Sequence, residues 1–131
     1  MGTLFFDGKL PYLDGWDHKG ISMYFINALG YLIGFKHLIG IRILEVILIV
    51  YSFLSIFKTV SKKYTQQIAF IGVVFGLFSL RYFFDGGNMT EEYGALFVLI
   101  SLSLLIKEKI KTIDYILIGV LFLVILLLEP I

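Results

Sequence analysis

The chain has no cysteine. That excludes a disulfide framework and a thiolate metal site, and it leaves the redox compartment unmarked. Charge is also scarce, with acidic and basic side chains at 16% of residues where roughly 25% is usual in soluble domains. The net charge of +1 offers no electrostatic case for nucleic acid, and the lysines are spread in small groups. No phosphate-binding G-x-x-x-x-G-K-[ST], no G-x-S-x-G and no dinucleotide fingerprint occurs. The first residues do not read as a cleavable signal peptide, because Asp7 and Lys9 stand where a basic segment and an apolar run belong.

What is present is apolar. Hydrophobic residues make up 59% of 131 positions, and the mean hydropathy is +0.93. A soluble chain this short cannot bury so much apolar surface, so lipid is the expected solvent. The expected fold is all-α, a polytopic membrane protein with about four transmembrane helices and one interfacial helix. It forms a single membrane module over residues 1–131.

Residues 1–20 read as a loop, broken by Gly8, Pro11, Gly15 and Gly20. The apolar run 21–35 reaches only ~22 Å as a helix, against ~30 Å of hydrocarbon. It is therefore expected to lie along the membrane surface. Residues 38–57 are long enough to span. Inside that run Arg42 and Glu45 share a helix face and read as a structural pair near its start. Further membrane helices are expected at 68–84, 95–106 and 115–128. Thr90 is the expected N-cap of the third, with Glu91 and Glu92 in a first turn that suits acids. Residues 107–114 read as a basic-leaning loop. Gly30 and Gly34 have a small-xxx-small spacing that favours close helix packing.

Counting four crossings puts Lys58, Lys62 and Lys63 on the same side as Lys107, Lys109 and Lys111. The positive-inside rule makes that side cytoplasmic. The N-terminal loop and residues 85–94 then share the outer face. If 21–35 also crossed, the whole assignment would invert.

Two polar stretches carry candidate chemistry. The first holds Tyr12, Asp14, Trp16, Asp17, His18 and Lys19. Asp14 and Asp17 are candidate catalytic bases for an acceptor hydroxyl, or ligands for a divalent cation. Lys19 is a point charge suited to phosphate. The plainer reading is a solvated loop, with Trp16 and Tyr12 anchored in the headgroup layer. The second stretch holds Gly86, Gly87, Asn88, Glu91 and Glu92. Glycines admit a ligand close to backbone amides, and paired acids bind metal or steer a substrate; the plainer reading is a helix N-terminus. His18 and His37 lack metal-ligand spacing. The N-x-[ST] pattern at Asn88-Met89-Thr90 carries weight only in a eukaryotic secretory context.

Taken together, Gly8-Lys9-Leu10-Pro11-Tyr12, Asp14, Asp17-His18-Lys19-Gly20 and Tyr24–Gly30 resemble the first outer loop of bacterial GT-C glycosyltransferases. These are the membrane enzymes related to protein mannosyltransferases and to the aminoarabinose transferases of lipid A. Gly86-Gly87-Asn88-Met89-Thr90-Glu91-Glu92-Tyr93 resembles the second-loop motif of that group. The resemblance implies transfer from a polyprenyl-phosphate sugar to a cell-envelope acceptor, on the outer face of the bacterial cytoplasmic membrane. It also implies a juxtamembrane helix over 20–35. By it, His18, Lys19, Asn88, Glu91 and Glu92 bind substrate, with Lys19 at the donor phosphate and a glutamate opposite. The family has a helix ending in an acid ahead of the Gly-x-x-Pro-Tyr segment, and many helices after this length. It also has Pro where Ile21 stands, and a basic residue where Glu129 stands. The chain is thus expected to be a fragment, inactive alone, with a partner subunit as one source of missing helices. The alternative is a small non-catalytic membrane protein that binds a lipid-linked sugar or a partner subunit.

Overall fold

A computed structural model describes residues 8, 9, 13, 14, 19–83 and 87–129. Among these it contains five helices and no strand: α1 (Ile21–Ile33), α2 (Ile39–Lys63), α3 (Gln66–Phe83), α4 (Thr90–Leu105) and α5 (Thr112–Leu126). The middle helix in packing terms is α2. Helices α1, α3 and α4 lie against it, and α5 packs on α4. It is also the one helix among the described residues long and apolar enough to cross a membrane.

Three boundaries differ from the sequence reading. Helix α2 does not stop at residue 57 but runs on through Lys58, Lys62 and Lys63. Lysine is a good helix former, so a charged tail extends a helix that hydropathy alone would end. Helix α4 starts inside the second polar stretch as its first-turn acids suggest, but one residue earlier, at Thr90 with Met89 as its N-cap. The Glu92 carboxylate closes that first turn by accepting the Met89 N–H at 3.1 Å. Helix α5 starts at Thr112, because Asp114 accepts the Lys111 N–H at 2.9 Å and caps the turn. Glu92 and Asp114, each three residues after its N-cap, thus define these two helix starts, ahead of where the apolar runs begin.

Polarity is inverted relative to a soluble domain. Phe70, Ile71, Phe75 and Phe78 of α3 face outward, as do Ile113, Ile116, Val120, Leu123 and Leu126 of α5. Asn27, Glu45, Ser52, Glu92, Ser101 and Ser103 are buried. The α2–α4 contact is joined by small hydroxyls. Ser55 Oγ lies 2.6 Å from Ser103 Oγ, and Ser52 donates to the Leu48 carbonyl at 2.6 Å with the Leu96 carbonyl 3.3 Å away. Such contacts let two backbones approach and add hydrogen bonds that solvent does not compete for.

The start of α2, the start of α4 and the end of α5 meet at one end of the bundle. Helix α1 lies across that end. Its first turn is tied to the end of α5, where Gly20 and Ser22 donate to the Leu128 and Leu127 carbonyls at 2.7 and 3.0 Å. Its last turns meet the start of α2: a Cβ on Gly30 would strike Ile41, and one on Gly40 would strike the Gly30 and Gly34 backbone. The Gly30/Gly34 spacing therefore serves close packing, as its pattern suggests. The core under α1 is Met23, Tyr93, Phe97, Ile100 and Leu128.

Candidate functional site

The end covered by α1 holds a polar cluster contributed by every helix start and end that meets there. Its hub is Asn88. The chain before it must turn sharply onto α4, and Gly87 and Asn88 do this with left-handed backbone, at φ 79° and 64°. Glycine has no Cβ to oppose that conformation, and asparagine tolerates it better than most residues. At Gly87 a side chain is also excluded by space, since a Cβ would overlap the Arg42 guanidinium.

Held this way, Asn88 uses each of its four polar groups. Its N–H donates to Glu45 Oε1 at 2.8 Å. Its carbonyl accepts from Lys19 Nζ at 3.1 Å. Its Nδ2 donates to Asn27 Oδ1 at 3.0 Å, and its Oδ1 accepts a long bond from the Tyr93 hydroxyl at 3.4 Å. Asn27 in turn donates to the Met23 carbonyl at 2.8 Å. One loop residue thus fastens the segment before α1, α1 itself, α2 and α4.

Beneath Asn88 lie two carboxyls. Glu45 is 2% exposed and pairs with Arg42 Nη1 through Oε2 at 3.0 Å. Glu92 is 1% exposed; Oε2 is used at Met89, while Oε1 is buried without a donor. Burial pushes the Glu92 carboxyl above its ordinary value of 4.5, and the facing Glu45 carboxyl acts in the same direction. A proton on Glu92, shared toward Glu45, would satisfy the orphaned oxygen. Among the described residues no group of three acids or histidines is placed to hold a metal ion.

The rim is different. Glu91 is exposed, and its own backbone N–H and the Thr90 hydroxyl hold its carboxyl below the usual value of 4.5, with the Lys19 charge contributing. The Thr90 hydroxyl lies 3.0 Å from Glu91 Oε2 and 3.3 Å from Glu129 Oε1. The half-buried Lys19 ammonium and the ionised Glu91 therefore form a dipolar rim over the buried Glu45 and Glu92 carboxyls.

Of the residues singled out from sequence, Lys19, Asn88, Glu91 and Glu92 come together here. Asp14 is exposed on a turn. Asp17 and His18 lie outside the described residues. Glu45, Asn27, Tyr93 and Glu129 were not among the candidates. For Glu45 the signal was available, since an ionisable residue inside an apolar run is a functional candidate by default. Asn27, an amide in the middle of the apolar run 21–35, gave a weaker signal of the same kind.

No family model matches the chain, and no curated protein or solved structure matches it either. The geometry of the cluster and the resemblance of the two loops are therefore the grounds for assigning a function.

Proposed function

We propose that the chain is part of a membrane glycosyltransferase of the GT-C type, and that the cluster around Lys19 and Asn88 is the donor side of its site. The observation that carries this reading is the 3.1 Å bond from Lys19 Nζ to the Asn88 carbonyl. It joins two stretches, 69 positions apart in the chain, that separately resemble the two outer-loop motifs of that group. The apolar exterior of α3 and α5 supports a polytopic membrane setting, with α2 to α5 crossing and α1 lying at the interface. The crossing portion begins at Ala95 in α4 and at Tyr115 in α5, so Glu91, Glu92 and Asp114 stand outside it.

In this reading the donor is a polyprenyl-phosphate sugar. The acceptor hydroxyl oxygen attacks the anomeric carbon and forms the new glycosidic bond. The bond from that carbon to the phosphate oxygen breaks, and polyprenyl phosphate leaves with the electron pair. A carboxylate takes the hydroxyl proton. Lys19 neutralises charge on the departing phosphate as a point charge. The ionised Glu91 lines the rim facing it, and Asp14 and Asp17 are the acceptor-side carboxylates. The buried Glu45 and Glu92 carboxyls hold the Asn88–Met89 turn, whose carbonyl at Asn88 positions Lys19.

The test is donor binding by the purified chain in detergent, using a short-chain polyprenyl-phosphate hexose, together with sugar release in envelope membranes. Lys19→Ala is expected to weaken donor binding about tenfold or more, the cost of one charge-assisted contact, while expression and helicity persist. A wild-type chain that binds no donor, or a variant that binds it equally, refutes the assignment. Binding without sugar release even in envelope membranes, where a partner subunit is at hand, favours the non-catalytic membrane protein.

A further inference from the structure

The opposite end of the bundle carries a second feature that the loop motifs do not involve. The last turns of α2 and the connection from α4 to α5 enclose an open cleft of about 310 Å³. Lys58, Lys62, Lys63, Lys107 and Lys109 line it, with Glu108 as the single acid. Five of the chain's eleven basic residues thus surround one cavity, although the whole chain is almost neutral.

Lys107 is committed to Asp114 at 2.7 Å. Lys58, Lys62, Lys63 and Lys109 make no ion pair among the described residues. The carbonyl ends of α2 and α4 both point to this end and favour a cation or two each. That explains Lys62, Lys63 and Lys107. It does not explain why Lys58 and Lys109 line the same cavity, where four ammonium groups without an ion pair face the single Glu108.

We propose that this cleft binds a phosphate group, each oxygen being met by lysine point charges rather than by a bidentate fork. The lining has no arginine, so the geometry suits a tetrahedral anion approached from several sides. Ile106 in the wall and the outward apolar faces of α2 and α5 beside it suit a phosphate carried on a lipid, where acyl chains lie along those helices. This inference depends on the membrane setting proposed above but not on the glycosyltransferase reading, whose test is made at the other end of the bundle.

The full chain is placed in nanodiscs of phosphatidylcholine, with or without phosphatidylglycerol, and retained lipid is counted by native mass spectrometry. A parallel arm adds inorganic phosphate to the phosphatidylcholine discs and follows thermal stability. Phosphatidylglycerol is expected to be retained over phosphatidylcholine by about tenfold or more, and the triple variant K58Q/K62Q/K63Q to lose that preference. The K58R/K62R/K63R variant keeps the charge and is expected to retain the preference, which separates binding from misfolding. Stabilisation by inorganic phosphate, lost in the glutamine variant, places free phosphate in the cleft instead of a lipid headgroup. Equal retention of both lipids with no response to phosphate, or a glutamine variant that behaves as wild type, overturns the proposal.

Discussion

Replacing Glu92 by glutamine tests the description of the buried acid pair. In the wild type, Glu92 Oε2 accepts the Met89 N–H and Oε1 is buried without a donor. Glutamine keeps an oxygen for Met89 and turns an NH2 group toward the Glu45 carboxylate, so no oxygen is left unmet. An unsatisfied buried polar group costs about 1–3 kcal/mol, and a gain of that order is expected for Glu92→Gln at neutral pH. The pH dependence carries the sharper test. The folded-state pKa of Glu92 is raised above 4.5, so the folded state holds the proton more tightly than the unfolded chain does. Its contribution to stability is complete below that ordinary value and is lost as pH rises through the raised value. Glutamine has no such titration. The advantage of the variant is therefore small in acid and grows from about pH 4.5 upward. Thermal unfolding of the detergent-solubilised chain, followed by far-UV circular dichroism across pH, measures the difference. A variant destabilised to the same extent at every pH would show that Glu92 acts as an ionised hydrogen-bond acceptor, and the proton-sharing account would fail.

Two further perturbations address the loop and the opposite end. Gly87→Ala forces a Cβ into left-handed backbone, costing about 1–2 kcal/mol, and pushes a methyl against the Arg42 guanidinium. Its loss of thermal stability should exceed that of Gly72→Ala, where a Cβ meets nothing within 4 Å and alanine gains helix propensity of about 1 kcal/mol; equal effects would mean that the loop does not close on Arg42. At Asp114 the Lys107 ammonium and the Lys111 N–H hold the carboxyl below its ordinary value of 3.8. Its contribution is present above that pH and lost as pH falls through the lowered value. Asp114→Asn should therefore lower the thermal midpoint at neutral pH and match wild type in strong acid, and a difference that persists in acid contradicts the ion-pair account.

The helices were legible because apolar runs and polar interruptions alternate so clearly along the chain. Their ends were less so. Residues 58–63 read as a loop by charge, yet lysine sustains a helix already nucleated by the apolar run before it. Glu92 and Asp114 begin α4 and α5 earlier through bonds to Met89 and Lys111, which hydropathy does not register. In the cluster, Lys19, Asn88, Glu91 and Glu92 were found because each sits in a polar stretch. Glu45 was read as the local partner of Arg42, which it is. Its second role, holding the Asn88 N–H, joins positions 43 apart, and no local pattern contains it. Asn27 is the same case, since its partner across the cluster is again Asn88.

The spacing between the two polar ends bears on the membrane reading more directly than composition does. Arg42 belongs to the cluster under α1, and Lys58 and Lys62 line the basic cleft. All three are on α2, one uninterrupted helix. At 1.5 Å per residue, Arg42 and Lys58 are ~24 Å apart along the axis and Arg42 and Lys62 ~30 Å, which is the thickness of a hydrocarbon core. Between them α2 presents Ile43, Val46, Ile47, Val50, Tyr51 and Leu54 to the outside. That spacing and that largely apolar face suit a helix that crosses a bilayer. In a bilayer the same spacing sets the Arg42–Glu45 pair at one interface and the lysine cleft at the other. With the lysines taken as cytoplasmic by the positive-inside rule, the donor site proposed above would lie at the opposite interface, where Lys19 meets Asn88.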